Sequence, residues 1–166
     1  MRIATAPVNW NNPDVPEYRP WIPYPWMMDE FVEAGYDATE WGPGMPEDAA
    51  ELRRALDARG LVMVGAFVAL GFRDAGRHDA EMARALAVAR RVQEAGGSLL
   101  VAAEAGDDRR RGEAGHVDES RGLTDRQWRD LATGLHRLAD EIAPMGMRRS
   151  RSMVRSASGL RPNVVR

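Results

Sequence analysis

The sequence predicts an α/β fold of about four βα units around a parallel sheet, and three observations carry that reading. Residues 61–70, LVMVGAFVAL, hold no charge and are almost continuously apolar, the pattern of a strand covered on both faces by helices. The stretch before it, 46–59, places Ala49, Leu52, Ala55 and Leu56 at helical spacing, with Pro46 at its start and Gly60 just past its end. After a turn rich in Gly (71–76), residues 79–95 repeat the helical pattern. The grammar is strand, helix, strand, helix.

Taken in order, residues 2–8 form a first short buried strand with Ile3, Ala4, Ala6 and Val8, closed by the polar turn Asn9-Trp10-Asn11-Asn12-Pro13. Residues 14–25 hold Pro16, Pro20, Pro23 and Pro25 among Tyr18, Trp21 and Tyr24, which excludes helix interior and central strand. This excursion is either the lid of a pocket or an aromatic plug over the end of the core. Residues 26–34 offer Met27, Met28, Phe31 and Val32 on one side of a short helix stopped by Gly35. A second strand follows at 36–41, and Gly42-Pro43-Gly44 turns the chain into the 46–59 helix. In 79–95, Met82, Leu86, Ala89 and Val92 face inward and Arg84, Arg90, Arg91 and Glu94 outward. Gly96-Gly97 ends that helix, and 98–103, SLLVAA, is the fourth strand, followed by Glu104. Residues 105–122 are charged and aperiodic, a long loop. Thr124 to Gln127 fits a capping box, and Trp128, Leu131, Leu135, Leu138 and Ile142 define the fourth helix.

Pro144 and Gly146 should lead into a fifth strand, but from Arg148 the chain reads RRSRSMVRSASGLRPNVVR. Residues 144–166 carry six Arg and no acid, whereas 1–143 carry 17 Arg against 25 acids. A buried strand cannot be built from that composition, because each guanidinium would need a partner. The expectation is therefore a domain over 1–147 and an Arg/Ser-rich tail over 148–166, either disordered or the product of a shifted reading frame.

At 166 residues the chain is short for a closed eight-stranded α/β barrel, which needs roughly 250. The formal net charge of −2 attracts neither nucleic acid nor an acidic membrane surface as a whole. All 23 basic residues are Arg, and the absence of Cys excludes disulfides and thiolate chemistry. The start, MRIATAPVNW, lacks the apolar segment of a secretory leader, so a soluble cytoplasmic protein is expected.

Four stretches then resemble one family: RIATAPVNWNN at 2–12, EAGYDATEWG at 33–42, LRRALDARGLVMVGAF at 52–67 and LTDRQWRDLATGLHRLADEIAPMGMR at 123–148. They resemble the xylose-isomerase-like TIM barrels, the sugar phosphate isomerase/epimerase group, and within it the inosose (myo-inosose-2) dehydratases. The resemblance covers about 145 residues and implies an incomplete (βα) barrel with its site at the C-terminal ends of the strands. Those ends supply Asn9, Trp10, Glu40, Trp41, Phe67 and Glu104. Asn9 and Glu40 would bind the hydroxyls of a sugar or cyclitol, with Trp10 and Trp41 as the apolar wall and Phe67 as a further substrate-binding candidate; core capping is the alternative for both tryptophans. Glu104 is the candidate catalytic carboxylate, or else a loop residue facing water. The implied reaction is proton abstraction beside a carbonyl, assisted in full-length relatives by a divalent metal (Mn, Co or Mg) held by Glu, Asp, His and Glu. No metal or other cofactor is expected in this chain, since none of the positions after the fourth helix that would carry those ligands exists here. His78, His116 and His136 lack ligand spacing and are expected to be solvated.

The expectation is thus a truncated relative, inactive alone, with open sheet edges available for self-association. The alternatives are a non-catalytic carbohydrate-binding remnant and an open α/β binding domain for a dinucleotide or phosphate. The latter is poorly served by Gly42-Pro43-Gly44, which lacks the GxGxxG spacing and loses an amide at Pro43. A basic tail that binds nucleic acid nonspecifically would give salt-sensitive association.

Overall fold

A computed structural model describes residues 2–107 and 122–150, the last two by backbone alone. Strands β1 (Ala4–Thr5), β2 (Ala38–Trp41), β3 (Val62–Leu70), β4 (Leu99–Glu104) and β5 (Arg148–Ser150) alternate with helices α1 (Tyr24–Glu33), α2 (Ala49–Asp57), α3 (His78–Glu94) and α4 (Asp125–Ile142). Among the described residues the sheet order is β1-β2-β3-β4-β5, and every neighbouring pair is parallel. Strands that follow one another without a reversal have no switch point, so the sheet winds in one direction as a barrel wall does.

Local chemistry sets the helix limits. Asp48 caps α2 by accepting from the Glu51 amide at 2.7 Å. Thr124 and Gln127 make the expected capping box at the start of α4. Each helix buries one stripe: Met27, Met28 and Phe31 on α1, Leu52 and Leu56 on α2, Met82, Ala85, Ala89 and Val92 on α3, Leu131, Leu138 and Ile142 on α4. Trp128 departs from expectation and stays 40% exposed.

The helices cover one face of the sheet and leave the other open. Ala66, Val68 and Leu70 of β3 are buried, while the alternating Phe67 is 55% exposed. Alternation along β3 is broken once, where the register with β2 moves from Thr39↔Met63 to Glu40↔Gly65 and passes over Val64. Gly65 is required there, because a Cβ would fall on the Leu99 carbonyl oxygen of β4.

Two sequence expectations change. The first strand is two residues long, and Pro7–Asn9 is a 3-10 turn. The expectation that no fifth strand forms fails over Arg148–Ser150, which pairs with Leu99, Leu100 and Val101 of β4. The Arg148 amide donates to Ser98 O at 2.7 Å. A ladder needs only backbone groups, and here the Arg148 side chain points to solvent while the preceding Met147 is buried. The remainder of the basic tail, 151–166, lies outside the described residues, as do most of the charged loop (108–121) and His116.

Candidate functional site

The chain leaves β1 into the turn at Pro7–Asn9 and runs through the Pro-rich excursion before α1 begins. Between this excursion and the end of β1 lies a cavity of about 410 Å³, bordered by Asn9, Trp10, Asn12, Tyr18, Arg19 and Trp21. Its wall combines aromatic rings with a few polar side chains. Asn9 Nδ2 donates to Thr5 Oγ1 at 3.2 Å, which orients the amide. Trp10 gives its indole N–H to Glu30 and packs edge-on to Phe31, centroids 4.5 Å apart, and to Tyr36 at 6.4 Å. What Trp10 can offer a ligand is therefore ring surface. Tyr18 is 82% exposed and Trp21 48%.

Of the six strand-end candidates, the structure brings only Asn9 and Trp10 to this cavity, where Tyr18 and Trp21 of the Pro-rich excursion join them. Glu40 ends up half-buried near the end of β2, in register with Gly65 on the open face, and burial raises its carboxyl pKa above the ordinary value. Phe67 shares that open face but lies inside β3, three residues short of Leu70, opposite Val101. It does not stand at a strand end as expected.

Trp41 is turned the other way. It pairs in register with buried Ala66, donates Nε1–H to Pro46 O at 3.0 Å and carries the Arg91 guanidinium of α3 4.5 Å above its ring. This is the capping alternative, with ring face and N–H both engaged. Glu104 is the last residue of β4, in register with Leu70, and its side chain is 5% exposed. Arg73 Nε lies 3.3 Å from Oε1, and the Gly106 amide donates to Oε2 at 2.9 Å. The water-facing reading fails, and a catalytic role would have to compete with that ion pair. His78 is half-buried: Nε2 meets Phe72 O at 2.8 Å and the two rings pack edge-on at 5.4 Å.

Sequence reasoning missed Asn11, Asn12 and Arg19, although the Asn pair before the Pro-rich excursion was visible. A second cavity of about 500 Å³ lies beside the start of α4, where Arg73, Arg77 and Arg126 alternate with Asp74, Asp107 and Asp130. Its charges balance.

No protein-family model matches the chain. Curated relatives do: the inosose dehydratase of Geobacillus kaustophilus is 30% identical over 153 residues, covering 89% of this chain and 49% of that protein. Among solved structures, D-psicose 3-epimerase from Clostridium cellulolyticum superposes with a TM-score of 0.61 at 12% identity, covering 90% of this chain and 51% of the other. A xylose isomerase domain protein from Alicyclobacillus acidocaldarius gives 0.57 at 17% identity, covering 90% and 49%. The metal set implied by the family resemblance does not fit the residues described: no three His, Asp or Glu side chains converge among them, and Glu104 is held by Arg73. Among the described residues no helix is long and apolar enough to cross a membrane. The chain is thus similar in sequence to the inosose dehydratases and shares the parallel α/β fold of xylose-isomerase-like TIM barrels, spanning about half the length of the curated relatives it matches.

Proposed function

We propose that this chain binds a sugar or cyclitol in the cavity at the end of β1, as the polyol-binding part of a site of the inosose dehydratase or sugar epimerase kind. One observation carries the reading: in a chain 30% identical to an inosose dehydratase, Trp10, Tyr18 and Trp21 converge with Asn9 and Asn12 on one cavity. Polyols offer C–H faces to aromatic rings and hydroxyls to groups that both donate and accept, which side-chain amides do. Glu40 stands on the open face with its protonated form favoured by burial, suited to exchanging a proton with a hydroxyl or a carbon beside a carbonyl. Glu40 is not among the residues that border the cavity, so binding without turnover is the expected behaviour of the chain alone.

Isothermal titration with an inosose, D-fructose and D-tagatose tests binding. Saturable heat that Asn9→Ala and Tyr18→Ala each weaken supports the reading, and absence of heat with all three polyols overturns it. Incubation of the same polyols with Mn²⁺ or Co²⁺ tests the second half: product above a metal-free control would show that the chain is catalytic by itself.

A further inference from the structure

Asn11 is 2% exposed, a buried amide at the start of a segment whose other residues are largely open to solvent. Its Oδ1 accepts from the Ile22 amide at 2.9 Å and its Nδ2 donates to the Ile22 carbonyl at 2.9 Å. The side chain thus does what a neighbouring strand would do, satisfying both backbone groups of one residue across a span of 11. Nδ2 also reaches Met27 Sδ at 3.6 Å, at the base of α1. Both amide hydrogens are used, so Asn11 has little left for a ligand.

Residues 12–21 are therefore tied down at both ends by one side chain. Arg19 adds a second tie, with Nε and Nη2 donating to Trp10 O at 2.9 and 2.8 Å. The β2–α2 loop backs the first tie: Gly44, at φ +81°, comes so near that a Cβ would stand 2.6 Å from Asn11 Nδ2 and 3.5 Å from the Trp21 ring. Tyr18 and Trp21, held by these ties, expose rings at the cavity with much of their surface uncovered. Large rings kept at a cavity mouth by a buried polar clamp make a preorganised binding wall, which lowers the ordering cost of taking a ligand.

Resting on the polyol-site reading above, we propose that residues 12–21 form the ligand-facing wall of the cavity, with Tyr18 and Trp21 as its contact residues. Asn11 is the positioning residue that holds the wall in place. Releasing it leaves the helices and sheet intact but costs the wall its geometry.

The test uses the full chain with Asn11→Ala, Asn11→Asp, Arg19→Ala and Trp21→Ala, each titrated with D-fructose and an inosose, alongside hydrogen exchange of the Ile22 amide. Asn11→Ala should weaken binding at least about tenfold and unprotect Ile22. Asn11→Asp keeps the acceptor for the Ile22 amide but sets a buried oxygen against the Ile22 carbonyl, so it too should weaken binding and lower protection. Trp21→Ala should weaken binding with Ile22 still protected. Should Asn11→Ala fail to fold, Arg19→Ala, at an exposed position, loosens the same wall and should weaken binding severalfold. Wild-type protein that takes up neither polyol overturns the site reading itself, and the wall with it. Undiminished affinity in a folded Asn11→Ala variant, with Ile22 unprotected or still protected, overturns the positioning role, and undiminished affinity in both Arg19→Ala and Trp21→Ala overturns the wall; neither touches the site reading.

Discussion

Gly134 faces Phe72 from the middle of α4, and Gly134→Ala sets two effects against each other. Gly in a helix interior is worse than Ala by roughly 1 kcal/mol, so propensity alone predicts a more stable protein. Packing predicts the reverse. A Cβ at 134 would stand 2.5 Å from Phe72 Cγ and 2.8 Å from its Cβ and Cδ1, where carbon atoms settle at about 3.5–4.0 Å. Phe72 is fully buried, its carbonyl is bonded to His78 and its ring packs against the His78 ring. The atoms struck first lie next to the backbone, so no rotamer of Phe72 relieves the overlap and α4 must move outward by about 1 Å. Overpacking of this kind costs roughly 1–3 kcal/mol, and contact with Cβ and Cγ places it near the upper end. Subtracting the propensity gain leaves a net loss of about 1–2 kcal/mol. For a chain of this size that lowers the melting temperature by roughly 2–8 °C, readable by thermal circular dichroism. In a Phe72→Leu background the smaller side chain gives way and Gly134→Ala should cost less, a coupling that a double-mutant cycle measures. A higher melting temperature for Gly134→Ala would show that α4 does not pack against the turn after β3 as described.

Two carboxylates should pull stability in opposite directions with pH. Glu81 is buried, which raises its pKa, but hydrogen bonds and charge from Arg84, the charge of Arg77 and the Gly71 amide outweigh this and bring it below the ordinary 4.5. Its contribution is therefore complete above pH 4.5 and is lost as pH falls through the lowered folded value. Glu81→Gln should then narrow the stability gap to wild type on acidification, measured by urea midpoints. Glu40 is raised by burial, so its protonated form favours the fold, and that contribution disappears as pH rises through the folded value. Glu40→Gln should accordingly exceed wild type in stability at pH 7 and match it near pH 4. Gly65→Ala forces a Cβ onto the backbone carbonyl of Leu99, which has no flexible end to move aside; soluble, cooperatively folded protein at wild-type yield would contradict the close approach of β3 and β4.

Several features were legible in the chain because they depend on neighbours in sequence. The apolar run of β3, the helical spacing in α2 and α3, the capping box of α4 and the Asn9-Trp10 turn all follow from local propensity and periodicity. The placement of Glu40 on the open face and Trp41 against α3 was not legible. It depends on a register that passes over Val64, and only strand pairing sets which of two adjacent residues faces which way. Glu104 could be read as a free carboxylate because Arg73 lies 31 positions earlier and meets it only when β3 and β4 pair. The Arg-rich composition after Met147 argued against a strand, yet pairing to β4 uses backbone groups that every residue carries. The cavity itself depends on Asn11 reaching Ile22 and on Arg19 reaching Trp10. The sequence determined the order of strands and helices, since that order comes from short-range chemistry. Tertiary structure alone decided which faces are covered and which side chains meet, because those contacts join residues that the chain keeps far apart.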